Sequence, residues 1–422
     1  TLPLAEGDVE AMREKSGDLD LVPNKGEARK VDYVQSNNYA FGGNNASIIY
    51  AKEDAPRALR DATTDRVFVT GIGVVSPLGN TVGGYVEAVR AGSAPNVCEK
   101  CGDAVSAVGS EDFASVGIKL NFYRKLDKLS QMTCVSGKYA LADAGITVDD
   151  GNARKIGIVA GTSDGPQTDI ANFQKGIIAN GTQSGSAFLF PNTVYNAAPG
   201  YLSICAGLKG YNVTYANGAA SGLAAVAYSA RVLRTTQNDV ILAVGADEDS
   251  ETVHMLYDKI GALSGGMKLS DGAVTLALEK ESSASARGAK KYAEVLGSGF
   301  AHCDVEFGKY GCSGQLKRAN DLALDDAGVK AGDIGLVMTC SNGLASLSEA
   351  ENEALAPFAS AEKVNVRDVC GEGRAASSAL AAAHASLMLA GEIGSTKAKY
   401  ALVLGASSGG SYNAVVLGRA DR

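Results

Sequence analysis

The chain repeats itself at long range. Residues 140–159, ALADAGITVDDGNARKIGIV, are echoed by residues 323–337, ALDDAGVKAGDIGLV. Each copy is a helix end closed by glycine, a short loop and then a buried apolar strand. The segments that follow match as well: SGLAAVAYSARVLR (221–234) with SALAAAHASLML (378–389), and DVILAVGADED (239–249) with YALVLGASSGG (400–410). Two copies of alternating strand and helix predict an α/β fold of mainly parallel strands covered by helices. The 51 glycines and the lack of tryptophan suit the many tight strand-to-helix turns of such a fold.

Bulk properties exclude several function classes. At 422 residues, 45% apolar and 20% charged, with mean hydropathy near zero, the chain reads as a soluble globular protein with a large core. A net charge of −8 argues against nucleic acid or an anionic membrane as the main partner. No apolar run reaches the roughly 18 residues that a membrane-spanning helix needs, and no signal-peptide pattern opens the chain. The eight cysteines are scattered, as in a reduced cytoplasmic protein. Cys98 and Cys101 form one C-x-x-C without a second pair at matching spacing, which reads as a surface loop rather than a zinc site. No metal site is expected.

The stretch Tyr211 to Leu233, YNVTYANGAASGLAAVAYSARVL, carries the chemistry. A β-branched pair (Val213, Thr214) enters a tight turn from Asn217 to Gly222, and small apolar residues then continue at helical spacing. This is strand, elbow and buried helix. Such an elbow lifts one side chain to a helix N-terminus, where the dipole stabilises an anionic nucleophile. The stretch resembles the nucleophile elbow of the β-ketoacyl synthases of the thiolase superfamily, whose pattern is roughly T-A-C-x-S-G-L. Residues 217–222 fill those places, with Ala219 where the reactive cysteine stands. A methyl group cannot attack a thioester.

The resemblance extends over nearly all of residues 65–422. DRVFVTGIGVVSPLGN (65–80) is similar to the first strand and turn of ketosynthases, and YRKLDKLSQMTCVSGKYALADAGI (123–146) to the helix that follows their R-x-x-D-x-x-S pattern. FPNTVYNAAPGYLSICAGLKGYNVT (190–214) resembles the lead-in to the elbow. LSDGAVTLALEKESSASARGAKKYAEVLGSG (269–299) resembles the run E-G-A…L-E…A-x-x-R-G-A…Y-A…G-x-G. The family implies a thiolase fold, with two halves at about 65–250 and 251–422 in five layers, helix-sheet-helix-sheet-helix.

Residues 1–54 read as the ending of another such domain, and residues 55–64 as a linker. KVDYVQSNNYAFGGNNASIIYAK predicts a hairpin of strands 31–35 and 46–50 across a Gly/Asn turn. The C-terminal KYALVLGASSGGSYNAVVLGR repeats the pattern, with Gly409 and Gly410 matching Gly42 and Gly43. The family likeness makes Phe41, Gly42 and Gly43 a gate beside an active ketosynthase site, whereas Ser408 stands at the phenylalanine position of the second hairpin. The expectation is either a piece of a longer fusion or a tail that completes a partner. A decorative hairpin is the plainer alternative.

A condensing ketosynthase also needs two imidazoles to polarise the malonyl thioester and stabilise its enolate. The first belongs to an H-G-T motif, whose place here is taken by Ser341, Asn342, Gly343 and Leu344, so that histidine becomes Asn342. The second belongs to K-S-x-x-G-H, matched by RDVCGE, so that Arg367 replaces the lysine and Glu372 the histidine. All three catalytic positions are changed. Buried alone, a carboxylate at 372 is costly, so a cation such as Arg374 or a polar network is expected to satisfy it. His254, His302 and His384 read as structural or solvent-facing. Cys340 and Cys370 lie beside the lost histidines but off the elbow, and read as small core residues.

A degenerate ketosynthase beside an active one is the arrangement of the chain length factors, the β subunits of type II polyketide ketosynthase heterodimers. The resemblance implies no catalysis by this chain alone. It implies pairing with an active ketosynthase subunit and service to an acyl carrier protein, which brings the phosphopantetheine, so that no cofactor is held here. It also implies side chains that close the partner's acyl tunnel. Helical spacing after IGIVAGTSDG puts Gln167, Ile170 and Phe173 or Gln174 along one face, with Leu189 and Phe190 as further wall residues. The reading in which Ile170 and Phe173 only pack the core stays open. So do a thiolase-fold enzyme with rewired chemistry and a purely structural partner. Arg124, Lys125 and Lys128 form the best basic cluster for a carrier protein, and a solvated helix face accounts for them equally.

Overall fold

A computed structural model describes residues 7–54 other than 18, 20, 23 and 40–44, and residues 65–421 other than 307. The chain forms two compact units, Thr1–Arg60 and Asp61–Arg422. The small unit holds a helix, α1 (Val9–Ser16), whose N-cap Asp8 accepts hydrogen bonds from the amides of Glu10 and Ala11. It also holds an antiparallel hairpin, β1 (Tyr33–Tyr39) and β2 (Asn45–Ala51), in register from Tyr33↔Ala51 to Tyr39↔Asn45. The first strand starts two residues later than expected and runs on to Tyr39. Val34, Tyr39, Ile48, Ile49 and Tyr50 are all exposed on this hairpin. The expected gate, Phe41, Gly42 and Gly43, and the linker 55–64 lie outside the described residues.

The large unit begins with β3 (Val67–Ser76), β4 (Gly79–Asn80), α2 (Val82–Ala91), α3 (Ser110–Ser115), α4 (Leu120–Tyr123) and α5 (Lys128–Asp143). Next come β5 (Ile156–Gly161), α6 (Gln167–Asn180), α7 (Ala197–Ala206), β6 (Asn212–Tyr215), α8 (Ser221–Thr235) and β7 (Val240–Asp247). They are followed by α9 (Glu251–Lys259), β8 (Gly272–Lys280), α10 (Glu281–Ala286), β9 (Ala293–His302), α11 (Ser313–Ala327) and β10 (Ile334–Met338). The unit ends with α12 (Ala345–Ala354), β11 (Glu362–Val364), α13 (Arg367–Cys370), α14 (Ala375–Leu389), β12 (Tyr400–Ser407) and β13 (Ser411–Arg419).

Sheet order exposes the duplication. Reading outward from the middle, one arm runs β3-β8-β7-β5-β6 and the other β9-β13-β12-β10-β11. The structural repeat therefore divides between β8 and β9, later than residue 250. The arms join through two residue pairs only, Phe68↔Glu294 and Val69↔Ala293, which makes one continuous sheet where two were expected. The sheet is mixed rather than mainly parallel. Its outer pairs, β5 with β6 and β7, and β10 with β11 and β12, are parallel, whereas the inner pairs are antiparallel. The reason is local: β12 returns directly as β13 through Gly409 and Gly410, both at positive φ, and a short hairpin can only be antiparallel.

The five layers follow from the helices. α5 packs on β3 and β8 with α7 beside it, α11 packs on β9 and β13 with α12 beside it, and α8 and α14 lie between the arms. All residues of α14 are buried, and its alanine-rich surface lets backbones come close. A Cβ on Gly222 of α8 would sit 2.0 Å from the Ala375 carbonyl oxygen, and one on Gly245 of β7 would sit 2.4 Å from it. The thiolase-type α/β architecture is therefore the architecture of this chain. Among the described residues no helix is long and apolar enough to cross a membrane.

Candidate functional site

The elbow forms as its sequence requires. β6 ends at Tyr215, Gly218 takes φ +72°, and one 3-10 turn (Gly218–Ala220) leads into α8. A side chain at 218 would strike Ser407 at 2.7 Å, so glycine is needed twice over, for conformation and for space. Ala219 is buried at the tip. The turn is braced from the other half: the Ala220 amide donates to Ser407 Oγ (2.9 Å), which donates to the Asn217 carbonyl (2.7 Å). Asn413 Nδ2 donates to the Ala220 carbonyl (3.0 Å). The turn has the form expected of a nucleophile elbow, with a methyl group at its tip.

Asn342 follows β10 and is buried. Its Nδ2 donates to the Tyr310 hydroxyl (3.2 Å), and its Oδ1 accepts from the Leu344 amide (3.2 Å). Glu372 is likewise buried, and its partner differs from expectation. Arg367, at the lysine position, donates from Nε to Glu372 Oε2 (2.8 Å), while Arg374 gives only its backbone amide to Oε1 (2.6 Å). Gly371 at φ +77° turns the chain so that Glu372 points back to the start of α13. Burial pushes the Tyr310 hydroxyl up, with Glu372 adding to the effect. The two positions that the resemblance assigns to imidazoles therefore hold an amide and one half of a buried ion pair.

The Arg374 side chain goes elsewhere, and reasoning from sequence missed its role. It sits at φ +53°, buried, donating from Nη1 to the Ser270 carbonyl (3.0 Å) and from Nη2 to the Glu248 carbonyl (2.5 Å). Its Nε lies 2.9 Å from Asp164 Oδ2 as an ion pair without hydrogen-bond alignment. Asp247, at the end of β7, accepts from Thr162 Oγ1 and from the amides of Ser163, Asp164 and Ala375 at 2.8–3.0 Å. Burial pushes the Asp247 carboxyl up to about 6 against the pull of Arg374, and burial likewise pushes Glu248 to about 7. An arginine inside GEGRAASSALAAAHASLML cannot face water, and the run Asp247-Glu248-Asp249 ends a buried strand. Those two signals together were readable.

Helix α6 lies above this floor. Gln167 Nε2 donates to the Asp164 carbonyl (2.5 Å), and the Thr168 amide donates to Glu248 Oε1 (2.8 Å). The only buried residue of α6 is polar: Asp169, which accepts from Asn192 Nδ2 (2.8 Å). Ile170, Phe173 and Leu189 are half-buried, and Gln174 and Phe190 are exposed. Phe173 and Phe190 meet with ring centroids 5.8 Å apart, so these two wall candidates come together. The same stretch of chain exposes Ile178 (84%), Phe188 (62%) and Ile204 (65%).

The remaining candidates separate clearly. His384 is buried in α14 against the Tyr85 hydroxyl (2.8 Å), and burial drops its pKa to about 4, so it is neutral. His302 is exposed, with Nδ1 3.2 Å from Ser411 Oγ. Burial pushes the Cys370 thiol up to about 12 and the Cys340 thiol well up, so neither is a nucleophile at neutral pH. The expectation that all cysteines are reduced is corrected, since Cys303 and Cys312 are disulfide-bonded. Of the basic cluster, Arg124 and Lys125 are exposed, while Lys128 pairs with buried Asp271. His254 lies with Asp103 and Cys101, one ligand atom of each within 4.8 Å of the others.

Comparison with known proteins places this geometry. The family model of the β-ketoacyl synthase N-terminal domain matches residues 64–284. A 3-oxoacyl-[acyl-carrier-protein] synthase 2 of Vibrio cholerae is 33% identical over 301 residues, 64% of this chain and 72% of that protein. The solved structure of the ishigamide ketosynthase/chain length factor superposes with a TM-score of 0.75 at 23% identity, covering 84% of this chain and 99% of that one. A type II polyketide synthase ketosynthase, solved in complex with its acyl-carrier protein, reaches 0.72 at 17% identity, covering 84% and 100%. At these identities the structural likeness is one of fold.

Proposed function

The chain belongs to the β-ketoacyl synthase family, and we propose that it is a non-catalytic member that pairs with an active ketosynthase and closes the end of its acyl tunnel. In this reading it sets the length of a polyketide, polyene or unusual fatty acid built on an acyl carrier protein. The carrier brings the phosphopantetheine arm, and the complex works in the cytoplasm. The observation that carries the proposal is Ala219 on an intact elbow. Condensation requires a thiolate that attacks the acyl thioester carbonyl and expels the carrier thiol. Alanine has no lone pair to offer. Asn342 is engaged with Tyr310, and Glu372 is held by Arg367 and the Arg374 amide.

Two features support a partner. β6, at one end of the large sheet, offers an open strand edge, and the adjoining stretch from α6 to α7 keeps large apolar side chains in water. The exposed hairpin β1–β2 fits the reading of a preceding ketosynthase's ending, which would hold both subunits at high effective concentration. A rewired enzyme is the less favoured reading, because the thiols nearest the old imidazole positions are held protonated.

The test is co-expression and co-purification with an active ketosynthase from the same source, followed by native mass spectrometry and product analysis. The expected result is a one-to-one complex whose Phe173→Ala and Phe190→Ala variants make longer products at unchanged complex stability. Unchanged product length in both variants would sink tunnel control and leave a structural partner. Malonyl decarboxylation or condensation by the isolated chain would favour the rewired enzyme.

A further inference from the structure

The C-x-x-C loop is the strongest chemistry that the degenerate centre leaves unused. Residues 97–104 fold back on themselves: Val97 bridges Ala104 antiparallel, the Cys98 amide donates to the Asp103 carbonyl (2.8 Å), and the Gly102 amide donates to the Cys98 carbonyl (2.8 Å). Gly102 at φ +79° allows the turn. Cys98 and Cys101 thus sit on one tight turn, as two thiolates that share a cation would. The third and fourth groups are Asp103, buried, and His254 from the first turn of α9, whose Nδ1 lies 2.5 Å from Asp103 Oδ2.

We propose that Cys98, Cys101, Asp103 and His254 form a zinc site that staples this loop to α9. The donor set decides the ion: two sulfurs, an imidazole and one carboxylate suit Zn²⁺ and disfavour Mg²⁺ or Ca²⁺, which take oxygen ligands. A tetrahedral zinc with bonds of about 2.0–2.3 Å holds its ligand atoms roughly 3.3–3.8 Å apart. The Cys101, Asp103 and His254 atoms already lie within 4.8 Å of one another, and Cys98, on the same turn as Cys101, swings in as the fourth ligand. An independent observation points the same way. Asp249 stands next to Asp103, and its Oδ1 is buried without a hydrogen-bond partner. A second carboxylate there adds negative field without a ligand role and favours a dication. Cys101 is exposed, which gives the ion a way in. Loading replaces the two thiol protons, which leave to solvent, with two Zn–S bonds. The metal's place is structural, because four protein ligands leave no coordination position open.

The experiment uses the full chain, reduced and stripped with a chelator, and titrated with Zn²⁺ and then separately with Co²⁺. One zinc per chain is expected, and the cobalt form is expected to show tetrahedral d–d bands with thiolate charge transfer. Cys101→Ser and His254→Gln should each weaken zinc binding roughly 10–100-fold or more, while Cys205→Ser leaves it unchanged. On the unaltered protein, zinc is expected to protect Cys98 and Cys101 from alkylation but not Cys205. That readout does not depend on any variant folding. No zinc bound, undiminished affinity in both ligand variants, or equal labelling with and without zinc overturns the site.

Discussion

The two central helices hold equivalent places in the two halves, yet their N-termini differ in kind. At α8 the tip is neutral: Ala219 is small and uncharged, and Ser407 satisfies the Ala220 amide and the Asn217 carbonyl. At α14 the equivalent end is filled with charge. The Arg367–Glu372 pair is buried, Asp247 caps Ala375, and Arg374 holds a positive φ while pairing with Asp164 and donating to the Ser270 and Glu248 carbonyls. A small uncharged residue at a helix start costs the fold almost nothing, whereas a buried carboxylate obliges a neighbour to answer its charge. The contrast teaches that the α8 end is tolerant and the α14 end is not.

The largest expected break in that contrast is Arg367→Met. It strands the Glu372 carboxylate in a dry site and should cost about 3–5 kcal/mol in urea unfolding. The double variant Arg367→Met/Glu372→Met should recover most of that loss, and failure to recover would mean that the pair is not the governing interaction. Next comes Glu248, whose folded carboxyl titrates at about 7 against an ordinary 4.5. The folded protein keeps this proton while the unfolded chain has lost it, so the group's contribution to stability falls as pH rises from about 4.5 to 7 and is level above. Glu248→Gln should therefore stabilise by about 3 kcal/mol at pH 8 and by almost nothing at pH 4. Equal effects at both pH values would contradict a buried, raised carboxyl.

The smallest effect belongs to the α8 end. Ala219→Cys should alter stability by less than about 1 kcal/mol. It should make residue 219 open to alkylation, seen by intact mass, while condensation stays absent because Asn342 and Glu372 supply no imidazole. Condensation by this single variant would show that the α14 end is less altered than its charges indicate.

Much of this was legible because it rests on local rules. The repeat predicted two equal arms, and the small-residue elbow predicted a sharp turn with Ala219 at its tip. What escaped was long-range. Sequence proximity favoured Arg374 as the partner of Glu372, but the turn at Gly371 sends that carboxylate back to Arg367. The mixed sheet escaped because the short return from β12 to β13 reverses strand direction without changing the apolar pattern. The link between Asp103 and His254 crosses 151 positions, a distance at which spacing carries no signal. Cys303 and Cys312, nine residues apart, gave no motif to read.

The burial of α14 has a further consequence, in time rather than in space. This helix begins at residue 375 of 422, and both arms of the sheet rest on it. While the chain emerges from the ribosome, the first arm and α8 are complete before α14 exists. From Lys280, where that arm ends, until α14 is made, its inner face has α8 alone as cover. Folding of the large unit is therefore expected to be a late event, and nascent chains stopped before α14 should be the ones that chaperones hold.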